Sequence, residues 1–107
     1  MQDAGARIDW TRHPAAAPVA GVRAWQTATE RVTAAVYDLD PHVSVPEHSH
    51  AGDEFGVVLE GEIEVVTGGR SETVAVGGCF LIPAGVPHRA ATHARGCRLV
   101  ECYAPGR

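Results

Sequence analysis

Short segments of alternating apolar and polar residues, separated by glycine and proline, occupy most of the chain from Val22 onward. They read "VRAWQTA", "RVTAAVYDLD", "PHVSVPEHSH", "EFGVVLEG", "EIEVVTGG", "SETVAV", "CFLIPAGVPHRAA" and "CRLVECYAP". Residues two apart on a strand share a face, and no segment carries an apolar repeat of helical period. The pattern predicts about eight short strands arranged as a sandwich or barrel.

The first twenty residues lack this alternation. The segment "RIDWTRHPAAAPVAG" is rich in alanine and proline, and we expect at most a short edge strand around Ile8 to Trp10. Trp10 is expected to pin the segment onto the barrel or onto a partner. A chain of 107 residues fits one domain. We therefore predict an N-terminal arm over residues 1–20 and one β-barrel over residues 21–107.

Composition excludes several classes of function. The net charge of -4, without a basic stripe, argues against nucleic acid as a partner. The sequence has neither a long apolar run nor a signal-peptide pattern, so we expect a cytoplasmic protein without a membrane partner. All nine basic residues are arginine, which excludes Schiff-base chemistry through lysine. The three cysteines have no CxxC spacing, and we expect them to be reduced, with Cys79 and Cys102 packed.

Two histidines and a glutamate lie close together in "VPEHSHAGDEFGVVLEG", residues 45–61. His48 and His50 are two residues apart, so they project from one face if this stretch is extended. Glu54 opens the apolar strand that follows. Two imidazoles and a carboxylate that converge on one point can hold a metal ion and leave coordination positions open. The spacing therefore indicates a metal site at a strand entrance.

A second stretch, "GGCFLIPAGVPHRAAT" at residues 77–92, has its own regular spacing. Gly77 is followed by five residues and then by Pro83, Gly85 and His88. This spacing resembles the second motif of the cupin superfamily, G-x5-P-x-G-x2-H-x3-N. The earlier stretch matches the first cupin motif, H-x-H-x3-4-E-x6-G, at His48, His50, Glu54 and Gly61. Both motifs stand in the order and at the spacing that are typical of small cupins.

The resemblance implies an all-β, single-domain cupin jelly-roll β-barrel with one divalent transition metal inside. The ligands it implies are three imidazoles and one carboxylate, namely His48, His50, Glu54 and His88. Iron, manganese, nickel, cobalt and zinc all fit such a set, with up to two positions open for water or substrate. A glycine usually opens the first motif, ahead of its two histidines, and His42 stands at that position. Thr92 stands where the second motif has asparagine. We expect Thr92 to face the pocket beside His88.

The last predicted strand, "CRLVECYAPGR", carries further polar residues. If Leu99 faces inward, Glu101 and Tyr103 do too, which places a carboxylate and a phenol on the barrel wall. A carboxylate that moves a proton beside a metal that polarises an oxygen suits proton-transfer catalysis. Glu101 and Tyr103 are therefore the candidate catalytic residues. The alternatives are a Glu101 that is solvated or paired with Arg98 or Arg89, and a Tyr103 that only packs.

This tail is also similar to that of the small cupins of pectin breakdown, which linearise unsaturated uronates. Glu101, Tyr103, Pro105 and Arg107 fit the family's inward acid, aromatic residue, proline and arginine. The resemblance implies that Arg107 could clamp an anionic substrate. The chain departs from that family at Glu54, where a glutamine is usual.

Three functions are compatible with these residues. The leading hypothesis is a metal-dependent enzyme that isomerises, tautomerises, or opens or closes a ring in a small oxygenated substrate by proton transfer. The second is an Fe(II)-dependent dioxygenase, which the same ligands would suit. The third is a non-catalytic cupin that binds a metal and a small molecule. Because a small barrel leaves strand edges exposed and small cupins commonly pair through their sheets, we predict a homodimer.

Overall fold

The computed structural model describes residues 7–105 and contains the eight strands that the alternation predicts. The strands are β1 (Val22–Ala28), β2 (Thr33–Leu39), β3 (Ser44–His48), β4 (Asp53–Thr67), β5 (Arg70–Ala75), β6 (Cys79–Ile82), β7 (His88–Ala91) and β8 (Cys97–Ala104). Helical structure in the described part of the chain is limited to a 3-10 turn at Trp10–Arg12. No helix within residues 7–105 has the length and apolar character needed to cross a membrane.

The strands form two antiparallel sheets that share β4. One sheet has the order β6-β4-β8-β2-β1, and the other has the order β5-β4-β7-β3. The first half of β4 belongs to the first sheet, and its second half belongs to the second sheet. Because one long strand passes through both sheets, the sheets curl around a common interior. This is the jelly-roll barrel that the sequence predicts.

Strand β4 changes sheets at a bulge next to Gly61. Its register against β8 shifts between Val58 and Glu60, and Gly61 adopts φ of 72°. A Cβ at Gly61 would lie 1.9 Å from the carbonyl oxygen of Gly96, so only glycine fits there. The sequence suggested two strands interrupted at Gly61. The structure instead has one continuous strand of 15 residues that bends at this glycine.

The core lies between the two sheets and follows the alternation. On β2, Thr33, Ala35, Tyr37 and Leu39 are buried, and the residues between them are half-buried. Leu99 of β8 and Val58 of β4 are each 2% exposed. Burial of an aliphatic side chain of this size stabilises the fold by roughly 1.5–3 kcal/mol. The same inward faces also carry Glu54, Glu101 and Tyr103, so the packed core and the polar site are adjacent.

The described part of the arm contains a 3-10 turn at Trp10–Arg12, and the strand expected at Ile8 to Trp10 is not formed. Asp9 accepts a hydrogen bond from the backbone two residues on, which favours a tight turn over an extended strand. The ring of Trp10 packs against Trp25 of β1, with their centroids 4.8 Å apart. The indole N–H of Trp25 donates to the carbonyl oxygen of His13 at 2.8 Å. Trp10 therefore pins the arm onto the barrel of its own chain.

Candidate metal centre

Three histidine side chains meet inside one end of the barrel. His48 ends β3 and His88 begins β7, and the two residues are cross-strand partners. His50 follows in the loop between β3 and β4. One ligand nitrogen from each ring lies within 4.8 Å of the others. The two separate motifs thus supply three imidazoles to one point, as a metal site requires.

His50 reaches this point from a loop and not by strand alternation. β3 stops at His48, so the extended geometry expected for both histidines applies only to the first. The backbone N–H of Gly85 donates to the carbonyl oxygen of His50 at 2.8 Å. The backbone N–H of Ala84 donates to Oδ1 of Asp53 at 2.8 Å. These bonds join the loop of the first motif to the loop of the second and hold His50 beside His88.

Backbone carbonyl groups select the tautomer of two of the histidines. Nδ1 of His48 lies 2.8 Å from the carbonyl oxygen of Pro46, and Nδ1 of His88 lies 2.9 Å from that of Val86. A carbonyl oxygen can only accept, so Nδ1 must be the donor in both rings. In the neutral imidazoles the lone pair is then on Nε2. Both rings are oriented as metal-binding histidines usually are, with the second nitrogen held by a hydrogen bond.

Glu54 lies among these rings at the second position of β4. Its side chain is 3% exposed, and its Oε1 lies 3.2 Å from Nε2 of both His50 and His88. Neighbouring ligands on one metal ion, with bonds of 2.0–2.2 Å, are separated by about 3.0–3.4 Å. This spacing suits donors around one ion, and it is also the spacing of a hydrogen bond between neighbouring groups. The donor set fits a divalent first-row metal.

Glu101 and Tyr103 both point into the interior from β8. Glu101 lines the cavity beside Glu54. The hydroxyl group of Tyr103 donates a hydrogen bond to Oε1 of Glu101. Burial and the nearby Glu54 raise the pKa of Glu101 well above its usual value, and the bond from Tyr103 opposes that rise. Arg98, the partner considered for Glu101, instead forms two bonds to Asp38 on the outer surface. Glu101 is thus a half-buried acidic group that lines the site.

Tyr37 is a site residue that the sequence analysis missed. Its hydroxyl oxygen lies 3.3 Å from that of Tyr103. Tyr103 has a single hydroxyl proton, which it donates to Glu101, so Tyr37 must be the donor between the two phenols. A directed series of hydrogen bonds therefore runs from Tyr37 through Tyr103 to Glu101. The alternation of β2 places Tyr37 inward, but no motif distinguishes it from a core residue.

The site opens into a cavity of about 120 Å³. Its polar end consists of His48, His88, Glu54 and the residues of the hydrogen-bond series. Its wall is mostly aliphatic, with the ring of Phe80 on one side, and Pro18 and Val19 of the arm contribute to it. A single water molecule needs only about 10–15 Å³ of such space, so the cavity has room for a small organic molecule.

Three expectations about individual residues need correction or remain outside the described residues. Thr92 does not face the cavity, because its buried hydroxyl donates to the carbonyl of Asp40 at 2.5 Å and accepts from the backbone of Val43 at 2.9 Å. Cys79 is exposed and not packed, because its side chain takes the outward face of β6. Arg107, the expected anion clamp, lies outside the described residues.

Residues 35–103 match the family model described as the cupin domain. This span contains both histidine motifs and most of β8. Because the match covers more than half of the chain, the protein belongs to the cupin family.

Solved cupin structures share the fold over nearly the whole chain. KdgF from Halomonas sp. has a TM-score of 0.87 at 22% identity, with 96% of each chain covered. An RmlC-like cupin from Shewanella frigidimarina NCIMB 400 has a TM-score of 0.87 at 21% identity, over 100% of this chain and 96% of that one. Oxalate decarboxylase from Bacillus subtilis has a TM-score of 0.80 at 20% identity, over 92% of this chain and 29% of its own. These similarities confirm the predicted fold.

Transcriptional regulators are among the curated relatives that this chain matches in part. HTH-type transcriptional regulator PuuR from Escherichia coli (strain K12) is 35% identical over 57 residues, which is 52% of this chain and 31% of the regulator. The same identity and coverage hold for PuuR from Shigella flexneri. The matched segment is thus about a third of the length of these relatives.

Proposed function

We propose that His48, His50, Glu54 and His88 hold one divalent metal ion and that the protein is a metal-dependent enzyme of proton transfer. The observation that carries the metal site is the position of Glu54 Oε1, which is 3.2 Å from two imidazole nitrogens. Iron, manganese, nickel, cobalt and zinc are all compatible with these donors. Support for such an ion in this fold comes from oxalate decarboxylase of Bacillus subtilis, which has Mn(II) centres.

The half-buried acid next to this site supports the assignment to proton transfer. A bound divalent metal would supply Lewis-acid polarisation of a carbonyl or hydroxyl oxygen of the substrate. We propose that Glu101 accepts a proton from the carbon next to a substrate carbonyl group. The electron pair of the broken C–H bond then forms the C=C bond of an enolate, and the negative charge develops on the oxygen. The carboxyl group of Glu101 then returns the proton to a different atom of the substrate, so the substrate is isomerised with no net gain or loss of protons. Tyr103, through its hydrogen bond, orients the carboxyl group for both steps.

The aliphatic wall would exclude bulk water from the reacting atoms. Water competes for protons and screens charge, so a dry cavity strengthens both the hydrogen bonds and the electrostatic effects of the buried groups. General acid–base assistance from a positioned carboxylate is worth on the order of 10²–10⁴-fold in rate. These properties favour tautomerisation, isomerisation, or ring opening or closure of a small oxygenated substrate.

A second candidate function is ligand sensing without turnover. The similarity to the transcriptional regulator PuuR favours it, because a related segment occurs in a protein that regulates. A sensor would use the same metal and cavity to bind a small molecule. It would not need Glu101 as a proton acceptor, and this difference makes the two functions separable by experiment.

We also propose a homodimer that forms through the outer face of the sheet containing β6 and β4. Phe55 and Leu81 are paired across these strands and are 40% and 72% exposed. Leu59, farther along β4, is exposed on the same side. Apolar side chains clustered on one face are typical of association surfaces. Light scattering should give twice the mass of one chain for the wild type and a single-chain mass for Leu81→Asp; a monomeric wild type would contradict the dimer.

The proposed function is tested by metal analysis combined with two assays. Protein purified without added metal is analysed for bound metals, and oxygen consumption is followed with neutral and acidic hydroxyketones, diketones and catechols. In parallel, proton NMR follows the exchange of substrate C–H protons for solvent deuterium. We expect a stoichiometric divalent metal and exchange without oxygen uptake. Iron with oxygen uptake would instead establish a dioxygenase, and tight binding without exchange or uptake would establish a sensor.

A further inference from the structure

We infer that the cavity selects a small ligand that has a carbonyl, enol or phenol oxygen at one end and an uncharged hydrocarbon body at the other. The inference rests on the proposed function for the oxygen end, which would face the histidines. The inference names a class of substrate, which the proposed function leaves open. It excludes the sugar acids that the resemblance of the last predicted strand to pectin-breakdown cupins suggested. The ligand class follows from three features of the cavity: its two ends, the placement of the arginines, and the position of Phe80.

The two ends of the cavity have opposite character. One end carries two carboxylates and two phenols, which belong to Glu54, Glu101, Tyr103 and Tyr37. The rest of the wall consists of aliphatic side chains from both sheets, among them Val45, Ile63, Val65, Ile82 and Leu99. A hydroxyl group placed against this wall would lose its hydrogen bonds to water without replacement. A ligand rich in hydroxyl groups is therefore disfavoured, and a hydrocarbon body is favoured.

The arginine side chains of the described residues lie on the outer surface of the barrel. Arg98 forms two bonds to Asp38, Arg23 contacts Asp40 at 2.9 Å, and Arg95 lies 3.8 Å from Glu62. Within residues 7–105, no arginine contributes to the wall of the cavity. A ligand carboxylate away from the histidines would thus lie against aliphatic groups and next to Glu101. Desolvation of the charged group opposes that arrangement.

Phe80 limits the size of the hydrocarbon body. It pairs with Gly56 on β4, and its ring lies directly over that glycine, where a Cβ would come within 2.2 Å of the ring. The absence of a side chain at Gly56 lets the ring lie flat and form one side of the cavity. Leu81, the next residue on β6, points outward and is exposed. Phe80 is therefore expected to determine how large a ring the cavity accepts, and Leu81 is a matched control position.

The test uses three probes in NMR titrations of zinc-loaded and metal-free protein. Cyclohexanone is neutral and small, 4-oxocyclohexanecarboxylate has the same ketone with a charge at the opposite end of the ring, and 1-tetralone is neutral with a second ring. We expect cyclohexanone to bind at least about tenfold more tightly than the carboxylate, as a desolvated, unpaired charge requires. We expect Phe80→Ala to admit 1-tetralone, with Phe80→Leu as the milder variant. Leu81→Ala should leave the preference of the wild type unchanged.

Several results would overturn the inference. It is wrong if the carboxylate or D-galacturonate binds as tightly as the ketone, or if neither cyclohexanone nor the carboxylate binds. If D-galacturonate binds and Arg107→Ala removes that binding, the terminal arginine supplies a cation and the inference is again wrong. Failure of the proposed function gives a different result, because the protein then takes up no zinc. If the metal-free protein still prefers the ketone to the carboxylate, the inference about the ligand is supported.

Discussion

The hydroxyl group of Tyr103 donates a hydrogen bond to Glu101, two residues earlier on the same strand. Both side chains point into the barrel because residues two apart on a strand share a face. The hydroxyl oxygen of Tyr37 on the neighbouring strand lies 3.3 Å from that of Tyr103, so two phenols in series support one carboxyl group. Hydrogen bonds in series polarise one another, which strengthens the bond to Glu101. This relationship gives the first prediction.

Replacement of Glu101 by Gln should remove proton transfer and retain binding. Because Gln nearly preserves the shape and cannot accept the substrate proton as a carboxylate does, we expect deuterium exchange to fall on the order of 10²–10⁴-fold. Tyr37→Phe removes one supporting hydrogen bond, worth about 1 kcal/mol, and should slow exchange roughly fivefold. Proton NMR measures the exchange rate, and titration of zinc and ligand measures the binding.

The pattern among variants separates catalysis from structural support. A catalytic Glu101 requires that the Gln variant lose exchange while its affinity for zinc and for ligand stays close to that of the wild type. If exchange persists in the Gln variant, Glu101 is not the proton acceptor. If Tyr37→Phe lowers stability without any change in exchange, the phenol only supports the core.

Metal binding should raise the melting temperature of the wild type and not that of His88→Ala. A ligand at about one hundred times its dissociation constant stabilises the folded state by about 2.7 kcal/mol. For a domain of this size that corresponds to a rise of roughly 10–20 °C. Calorimetry with and without zinc measures the rise. His88→Ala and Glu54→Ala should each abolish most of it, because each removes a donor from the cluster.

A surface histidine provides the matched control for this measurement. His93 is exposed and contacts Glu64 at 2.9 Å, outside the cluster. His93→Ala should retain the full stabilisation by zinc. An equal loss in His93→Ala and His88→Ala would place the metal elsewhere and refute the proposed site.

Replacement of His42 by Gly should stabilise the protein. His42 adopts φ of 59°, a left-handed conformation that disfavours side chains with a Cβ, and its backbone N–H donates to the carbonyl of His93 at 2.9 Å. The cupin motif has glycine at this position, and the strain explains why. We expect a gain of about 0.5–1 kcal/mol in the free energy of unfolding. Chemical denaturation measures it, and His42→Ala, which keeps the Cβ, should show no comparable gain.

Asp38→Asn should destabilise the protein near neutral pH and have less effect in acid. Arg98 donates from Nε and Nη2 to the two oxygens of Asp38, at 2.6 and 3.0 Å, and the hydrogen bond lowers the pKa of Asp38. A lowered pKa means that the stabilisation is present above the unfolded-state pKa and is lost as pH falls through the folded-state value. We expect a cost of about 0.5–1 kcal/mol at neutral pH, reduced by solvent screening.

Denaturation at neutral pH and near pH 3 tests the sign. The difference between wild type and Asp38→Asn should shrink at the lower pH, because the wild-type carboxylate is then being protonated. Asp40→Asn is a suitable control, since Asp40 contacts Arg23 through one bond and both side chains are about half exposed. A difference at Asp38 that is unchanged by acid would show that the charge of Asp38 is not what stabilises the fold.

The strand pattern, the ligand types and their spacing could all be predicted from the sequence. Alternation reports which face of a strand is buried, so the inward direction of Glu54, Leu99 and Tyr103 followed from local order. Each of the two histidine motifs lies within one short stretch of the chain. Its spacing, the fixed number of residues between one motif residue and the next, can therefore be read directly from the sequence. The family match over residues 35–103 confirms the cupin family that those motifs indicated.

Other features depend on contacts between distant segments, and alternation does not encode them. The position of His50 results from bonds between two loops, and the burial of Thr92 away from the cavity results from its bond to the carbonyl of Asp40. The docking of Trp10 on the barrel results from its packing on Trp25. Tyr37 joins the site only because β2 lies next to β8. Local sequence therefore determined the strands, the faces and the donor types, while the tertiary structure decided which side chains meet, since that depends on the pairing of strands far apart in the chain.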